Sequence, residues 1–304
     1  MVQFNSPCAI IDEKEGCIML DVILDTDTFN EIDDQFAIAY LLRSDDRLNT
    51  IALYAAPFTN FRDVTPAIGM EQSYQEIYKV LNLMDRNYPV LRGAEQFLPD
   101  ENTPVTSDAA LDLVKRAAHY SADAPLYVVA IGAITNIASA ILLEPSIKEK
   151  IIVVWLGGNA HHFHDTAEFN MRQDIAAARV VMRSGVRFVH LPCRGVVNTF
   201  TISKPELEYW LTGKNKLADY LARNTIQKAE SYAGGTPWTR TIWDVAAVAW
   251  LLNDDDRFMH SRKIPAKLPG YDNRYTDEPA PEIDYVYHVN RDTLMTDLIR
   301  KLLQ

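Results

Sequence analysis

Apolar segments of strand length alternate with segments of helix length through the first two-thirds of this chain, and that alternation restricts the fold more than any other feature. Residues 18–25 read as a strand and 33–43 as a helix. The pair recurs at 50–55 and 66–83, 88–91 and 107–120, 126–131 and 134–143, and 151–156 and 174–184, before a further strand at 187–191. Strand–helix–strand succession implies an α/β fold, a mostly parallel central sheet covered by helices on both faces. Beyond Lys204 the pattern turns largely helical, with helices predicted at 205–212, 217–230 and 241–252. A strand at 283–289 and a closing helix at 291–303 follow. The proline-rich stretch 265–281 is loop-like but too short to divide the chain, so residues 1–304 are expected to form one domain.

Charge and composition exclude several functions. The net charge is −11 and no run of Lys or Arg exceeds two residues, which disfavours nucleic acid and anionic membranes as partners. No apolar run reaches the roughly 18 residues that a bilayer span needs. The N-terminus lacks the basic region and apolar core of a signal peptide. Cys8, Cys17 and Cys193 have no metal-ligand spacing and read as free thiols in a reducing compartment. A cytoplasmic protein is expected.

The polar residues collect where the strands end. Asp25-Thr26-Asp27-Thr28-Phe29-Asn30-Glu31-Ile32-Asp33-Asp34 holds four aspartates and a glutamate directly behind the first strand. Open α/β sheets place ligands at such carboxyl ends. Carboxylates this close repel one another, and a hard cation with oxygen ligands removes that penalty. The bland alternative is a solvated acidic turn with one aspartate capping the next helix. Gly157-Gly158-Asn159 through Ala167-Glu168-Phe169-Asn170 follows the strand 151–156, and Glu168 and Asn170 would share a side if that piece is extended. Gly132-Ala133-Ile134-Thr135-Asn136 follows the strand 126–131, and Trp243-Asp244 opens an apolar helix, where an acid is also an ordinary N-terminal residue. His161, His162 and His164 form a histidine-rich loop whose members could gate a substrate or protonate a leaving group.

The aspartate stretch resembles the Asp-x-Asp-x-x-x-Asp-Asp signature of the nucleoside hydrolases, the inosine–uridine-preferring and purine-specific N-ribohydrolases, with two extra residues between Asp27 and Asp33. Ala167-Glu168-Phe169-Asn170 is similar to that family's Ala-Glu-Phe-Asn, Gly132-Ala133-Ile134-Thr135-Asn136-Ile137-Ala138 to its Gly-Pro-Leu-Thr-Asn-Ile-Ala, and Trp243-Asp244 to its His-Asp or Trp-Asp. The resemblance implies a Rossmann-like nucleoside hydrolase architecture and a calcium ion held by Asp27, Asp34, Asp244 and the carbonyl of Ile131. It implies Asp27 as general base on a calcium-bound water that attacks C1′ of a ribonucleoside. Asp33, Glu168 and Asn170 would bind ribose hydroxyls, with Asn30 as a weaker member of the same set. It also implies a homodimer or homotetramer. Trp243 stands where many members have a histidine, as in the purine-specific enzymes, and implies stacking on a purine. Asn60 stands near a position where the family places a sugar-binding asparagine.

Other functions share parts of this pattern. Asp25-Thr26-Asp27 also fits a haloacid-dehalogenase-type phosphotransfer enzyme, whose other motifs are not evident. A different N-riboside, such as a nicotinamide or modified nucleoside, or a non-catalytic ribose-ligand sensor would use much the same pocket. Tyr232 and Trp238, around Gly234-Gly235, mark a candidate lid.

Overall fold

The computed structural model describes residues 19–60 and 64–304. Cys8, Cys17, Ile18 and the N-terminal segment lie outside the described residues. Eight strands form the main sheet in the order β3-β2-β1-β4-β5-β6-β10-β9. They are β1 (Leu20–Thr26), β2 (Leu48–Ala55), β3 (Val90–Arg92), β4 (Leu126–Ala130), β5 (Ile151–Leu156), β6 (Arg187–Leu191), β9 (Met259–Pro265) and β10 (Glu282–Val289). All neighbours run parallel except the edge pair β10 and β9. The α/β expectation is borne out.

Burial on both faces explains the strand sequences. Every residue of β5, Ile-Ile-Val-Val-Trp-Leu, is buried, as expected of a parallel strand with helices above and below. One face packs against α1 (Asp34–Leu42), α2 (Pro66–Leu83), α9 (Val245–Trp250) and α10 (Arg291–Leu302). The other packs against α3 (Asp108–Ala117), α4 (Thr135–Leu143) and α6 (Ile175–Arg183). Helix α1 is apolar around nearly its whole circumference and all nine of its residues are buried, so it sits inside the molecule and carries the aspartates at its start inward with it. Local signals set several helix starts: Thr65, Ser107 and Asp174 accept from Ile68, Ala110 and Ala177 amides in turn.

Three elements depart from expectation. The helix predicted over 241–252 begins only at Val245, because Thr241 closes a small antiparallel pair between β7 (Thr201–Ser203) and β8 (Thr239–Thr241). Trp243 and Asp244 therefore lie in the turn between strand and helix. The Glu168–Asn170 segment is not extended: Glu168 caps a short helix, α5 (Phe169–Gln173), accepting from the amides of Asn170 and Met171. Strand β9 gave no apolar signal because its middle, His260 to Lys263, is exposed and polar, which suits a sheet edge. The helices α7 (Lys204–Trp210) and α8 (Lys216–Ala233) agree with expectation to within a few residues, and α8 carries Tyr232 as part of its last turn. Among the described residues no helix is long and apolar enough to cross a membrane.

Candidate active site

Strand β1 pairs with β2 on one side and β4 on the other, so the sheet order reverses at β1. The loops leaving β1 and β4 diverge there and open a crevice, the usual ligand position in such sheets. A cleft of about 340 Å³ occupies this point, lined in part by Asp27, Asn30, Asp33, Asp34, Ile131, Glu168, Asn170, Trp243 and Asp244. Asp27, Asn30, Asp33, Asp34, Ile131, Glu168, Asn170, Trp243 and Asp244, nominated from the sequence, are thus brought to one cavity from four separate loops.

The aspartate loop turns back on itself through the Asn30 amide, which donates to the Asp27 carbonyl at 2.8 Å, and through Gln35 Nε2, which donates to the Thr28 carbonyl at 2.8 Å. Buried Ile32 anchors its apolar side. Asp33 occupies the N-cap position of α1 yet makes no capping bond with its side chain; its Oδ2 instead accepts from the Trp243 amide at 3.0 Å. Asp244 likewise precedes α9 without capping it, and its carboxylate faces that of Asp34. Asp33 is thus free of the helix-capping duty that the bland reading of the acidic turn gave to one aspartate.

Carboxylate oxygens of Asp33, Asp34 and Asp244 lie within 4.8 Å of one another. Thr26 Oγ1 donates to Asp34 Oδ1 at 2.5 Å, while Asp27 Oδ2 and Asp33 Oδ1 are buried with no hydrogen-bond partner. Such orphaned acceptors are costly in a folded protein unless something else occupies them. Burial, then the charges of Asp34 and Asp33, pushes the Asp27 carboxyl well above its usual range. Burial pushes Asp33 up to about 8 and Asp34 up to about 6, and burial followed by the neighbouring aspartates pushes Asp244 well up. A cluster of hard oxygen donors that resist ionisation together fits a hard cation, which would reverse these shifts.

The neighbouring loops supply fixed dipoles. Asn170 Nδ2 donates to the carbonyls of Ile131 and Leu156, both at 3.0 Å, which leaves its Oδ1 as the amide's other polar atom. Glu168 accepts from three backbone amides, the shortest from Gly158 at 2.7 Å. Gly132 packs against the base of the cluster: a methyl group there would lie 3.0 Å from Asp27 Oδ1. Trp155 Nε1 donates to the Gly132 carbonyl at 3.0 Å and holds that loop down.

Other nominated residues lie elsewhere. Asp25, the nucleophile that a phosphotransfer enzyme would need, is fully buried, accepts from Asn136 Nδ2 at 2.7 Å and does not line the cleft. Asn60 forms a bridge with Val64 and is likewise not among the cleft-lining residues. None of the three loop histidines lines the cleft. His161 packs among His190, Tyr275 and Tyr285, and burial, then His190, lowers its pKa to about 3, so it carries no proton to give near neutrality. His162 lies tilted against Phe163, and His164 is exposed. Conversely, sequence reasoning missed Cys193, Arg172, Arg194 and Arg240 as cleft residues. Cys193 lies two residues beyond β6, and the rule that ligands gather at strand ends would have found it.

A parallel sheet whose switch point carries a buried oxygen-donor cluster in an open cleft defines an α/β enzyme built for a small ligand and able to hold a metal ion. Residues 22–295 match the family described as inosine–uridine preferring nucleoside hydrolase, and the chain belongs to that family. It is an N-ribohydrolase, an enzyme that hydrolyses the N-glycosidic bond of ribonucleosides. It is similar to the non-specific ribonucleoside hydrolase RihC of Salmonella schwarzengrund, with 27% identity over 78% of this chain and 79% of that one. The Escherichia coli RihC is 28% identical over 78% of this chain and 80% of its own. Solved structures share the fold: a plant nucleoside hydrolase (TM-score 0.73, 18% identity, 93% of this chain and 99% of that one) and a purine-preferring ribonucleoside hydrolase from Gardnerella vaginalis (TM-score 0.71, 20% identity, 93% and 98%).

Proposed function

We infer that the protein hydrolyses purine ribonucleosides, with a calcium ion held by Asp27, Asp34, Asp244 and the Ile131 carbonyl and with Asp27 as general base. The observation that carries this reading is the convergence of buried carboxylates with unpartnered oxygens on one cleft at the sheet's switch point. Calcium, when bound, offsets the clustered negative charge and eases deprotonation of a nearby water. Asp27 takes the proton as the water oxygen bonds to C1′, and the electron pair of the C1′–N bond departs with the base. The ribose ring gains positive charge in the transition state, as in other glycoside hydrolyses, and the carboxylates of Asp33 and Glu168 favour that charge. The unpartnered Oδ1 of Asp33 is available to a ribose hydroxyl, with Asn30, Glu168 and Asn170 beside it.

Half-buried Trp243 lines the same cleft and supports stacking on a purine. Because the RihC relatives are named non-specific, purine preference is the part of the reading to measure first. The same reading makes the enzyme cytoplasmic, in keeping with the unbridged thiol of Cys193, and a homodimer or homotetramer, which light scattering would test.

The test is release of free base and ribose from inosine, adenosine, guanosine, uridine and cytidine, with and without calcium chelation, for the native protein and Asp27→Ala. Chelator-sensitive turnover of purines, lost in the variant with the fold intact, is the expected result. Equal turnover of uridine would remove the stacking role of Trp243 and keep the mechanism. Calcium binding without turnover of any nucleoside would favour another N-riboside or a sensor.

A further inference from the structure

The cleft contains no histidine, yet a purine or pyrimidine leaves poorly as a bare anion. Arg240 is the cleft residue best placed to help. It lies three positions before Trp243, its guanidinium is close enough to Asp33 to favour that carboxylate's charge, and its side chain is only 19% exposed. Trp243 and Arg240 line the same cleft, and a base seated against both would lie beside Asp33.

The guanidinium is fixed from two sides. Arg240 Nη2 donates to Glu31 Oε2 at 2.6 Å, and Nη1 donates to the Tyr232 hydroxyl at 2.8 Å. Its Nε–H is buried and has no acceptor. Glu31 belongs to the stretch between Asp27 and Asp33 that is two residues longer than the family signature, so the extra length of that loop supplies an anchor for the arginine. An arginine held by its two terminal nitrogens with the third donor unused is a preorganised donor waiting for an acceptor.

We propose that Arg240 activates the leaving group, its Nε–H donating to a ring nitrogen or carbonyl oxygen of the base as the C1′–N bond breaks. This rests on the ribohydrolase reading of the site. The electron pair of the broken bond passes to the base, and the hydrogen bond stabilises the resulting anion. No proton leaves Arg240, because a guanidinium is not deprotonated in proteins. The water oxygen bonds to C1′, its proton goes to Asp27, and the base anion is protonated from solvent after it separates, which completes the balance of nucleoside and water to ribose and free base. Leaving-group help of this kind has no titration near neutrality, unlike help from a histidine.

The experiment compares inosine with p-nitrophenyl β-D-ribofuranoside, whose p-nitrophenolate departs without help. In Arg240→Met, kcat on inosine is expected to fall about 100-fold, the range of one lost donor to a developing anion. Turnover of the p-nitrophenyl riboside should stay within about three-fold, since the attack on C1′ is unchanged. Glu31→Gln, a change at an exposed loop position, keeps the arginine and loosens its anchor, and should lower inosine turnover in the same direction by a smaller factor. Equal loss on both substrates in Arg240→Met would show that Arg240 merely holds the loop together and would overturn the proposal. No loss on inosine would overturn it as well. A native protein that cleaves neither riboside would instead overturn the ribohydrolase reading, and the proposal with it.

Discussion

The side-chain amide of Asn170 donates to the carbonyl of Ile131 at 3.0 Å, joining the loop after β5 to the loop after β4 beside the aspartate cluster. One lone pair of the carbonyl is occupied by Asn170, and the other remains for a cation. Asn170 thus orients a proposed ligand and lies against the substrate space at once. Asn170→Ala should weaken calcium binding by about 10- to 100-fold, the usual cost of losing a partner that orients a ligand. Isothermal titration of the metal-free protein with calcium reads this directly. Unchanged affinity would mean that the Ile131 carbonyl is not a ligand.

Asp244 invites a prediction whose sign depends on the cation. In the metal-free protein its carboxyl faces Asp33, Asp34 and Asp27 inside the fold, where burial and mutual repulsion both oppose ionisation. Asp244→Asn keeps the shape and removes one charge. Without calcium the variant should melt higher, by about 2 °C if the relief is near 1 kcal/mol. With saturating calcium the native protein should melt higher, because only it retains the ion tightly. Differential scanning calorimetry with chelator and with calcium tests the crossing; a variant less stable in both conditions would mean that Asp244 serves folding alone.

How far the sequence disclosed this site follows from where its information lies. Asp27, Asp33 and Asp34 stand in one short motif behind an apolar strand, and the β-α alternation alone places that motif at the ligand edge of the sheet. Glu168, Asn170, Ile131 and Asp244 became legible through the resemblance, because their motifs occur in family order. Arg240 was hidden: its two partners are Glu31 and Tyr232, one of them more than 200 positions away, and no local pattern marks such a pairing. The histidine loop misled for the opposite reason. His161, His162 and His164 look chemical as a string, but His161 folds into an aromatic cluster behind the cleft. Short elements such as α5 and β7 carry too few residues to show a period, and β9 is too exposed to show an apolar one.

Gly132 provides a steric test of the general base. A methyl group at this position would stand 3.0 Å from Asp27 Oδ1 and 3.1 Å from the Ala56 methyl, so the carboxylate, as the more mobile neighbour, must move. Gly132→Ala should lower kcat by about 10-fold or more through displacement of Asp27, since small misplacements of reacting groups are costly. The loss should appear equally with a nucleoside and with p-nitrophenyl β-D-ribofuranoside, because both need the same attack on C1′. Native kcat on both substrates would place the base elsewhere.

The last prediction concerns acid. His190 is fully buried, with Nε2 bonded to the Gly157 carbonyl at 2.7 Å, and its pKa is lowered to about 4, chiefly by burial; that of His161 beside it is lowered to about 3. Both rings are neutral in the fold but take protons near 6.5 in the unfolded chain. Between pH 6.5 and about 4 the unfolded state therefore binds more protons, so stability is full above 6.5 and declines as pH falls through this window. The slope is at most about 1.4 kcal/mol per pH unit for each fully buried histidine, and less for the half-buried His161. His161→Phe keeps an aromatic ring between Tyr275 and Tyr285 and removes one of the two titrations. Its urea midpoint should fall less steeply than that of the native protein from pH 6.5 to 4, with the two curves parallel above pH 7. Identical acid limbs would show that His161 titrates in the fold as it does in the unfolded chain, and would remove its share of the acid sensitivity.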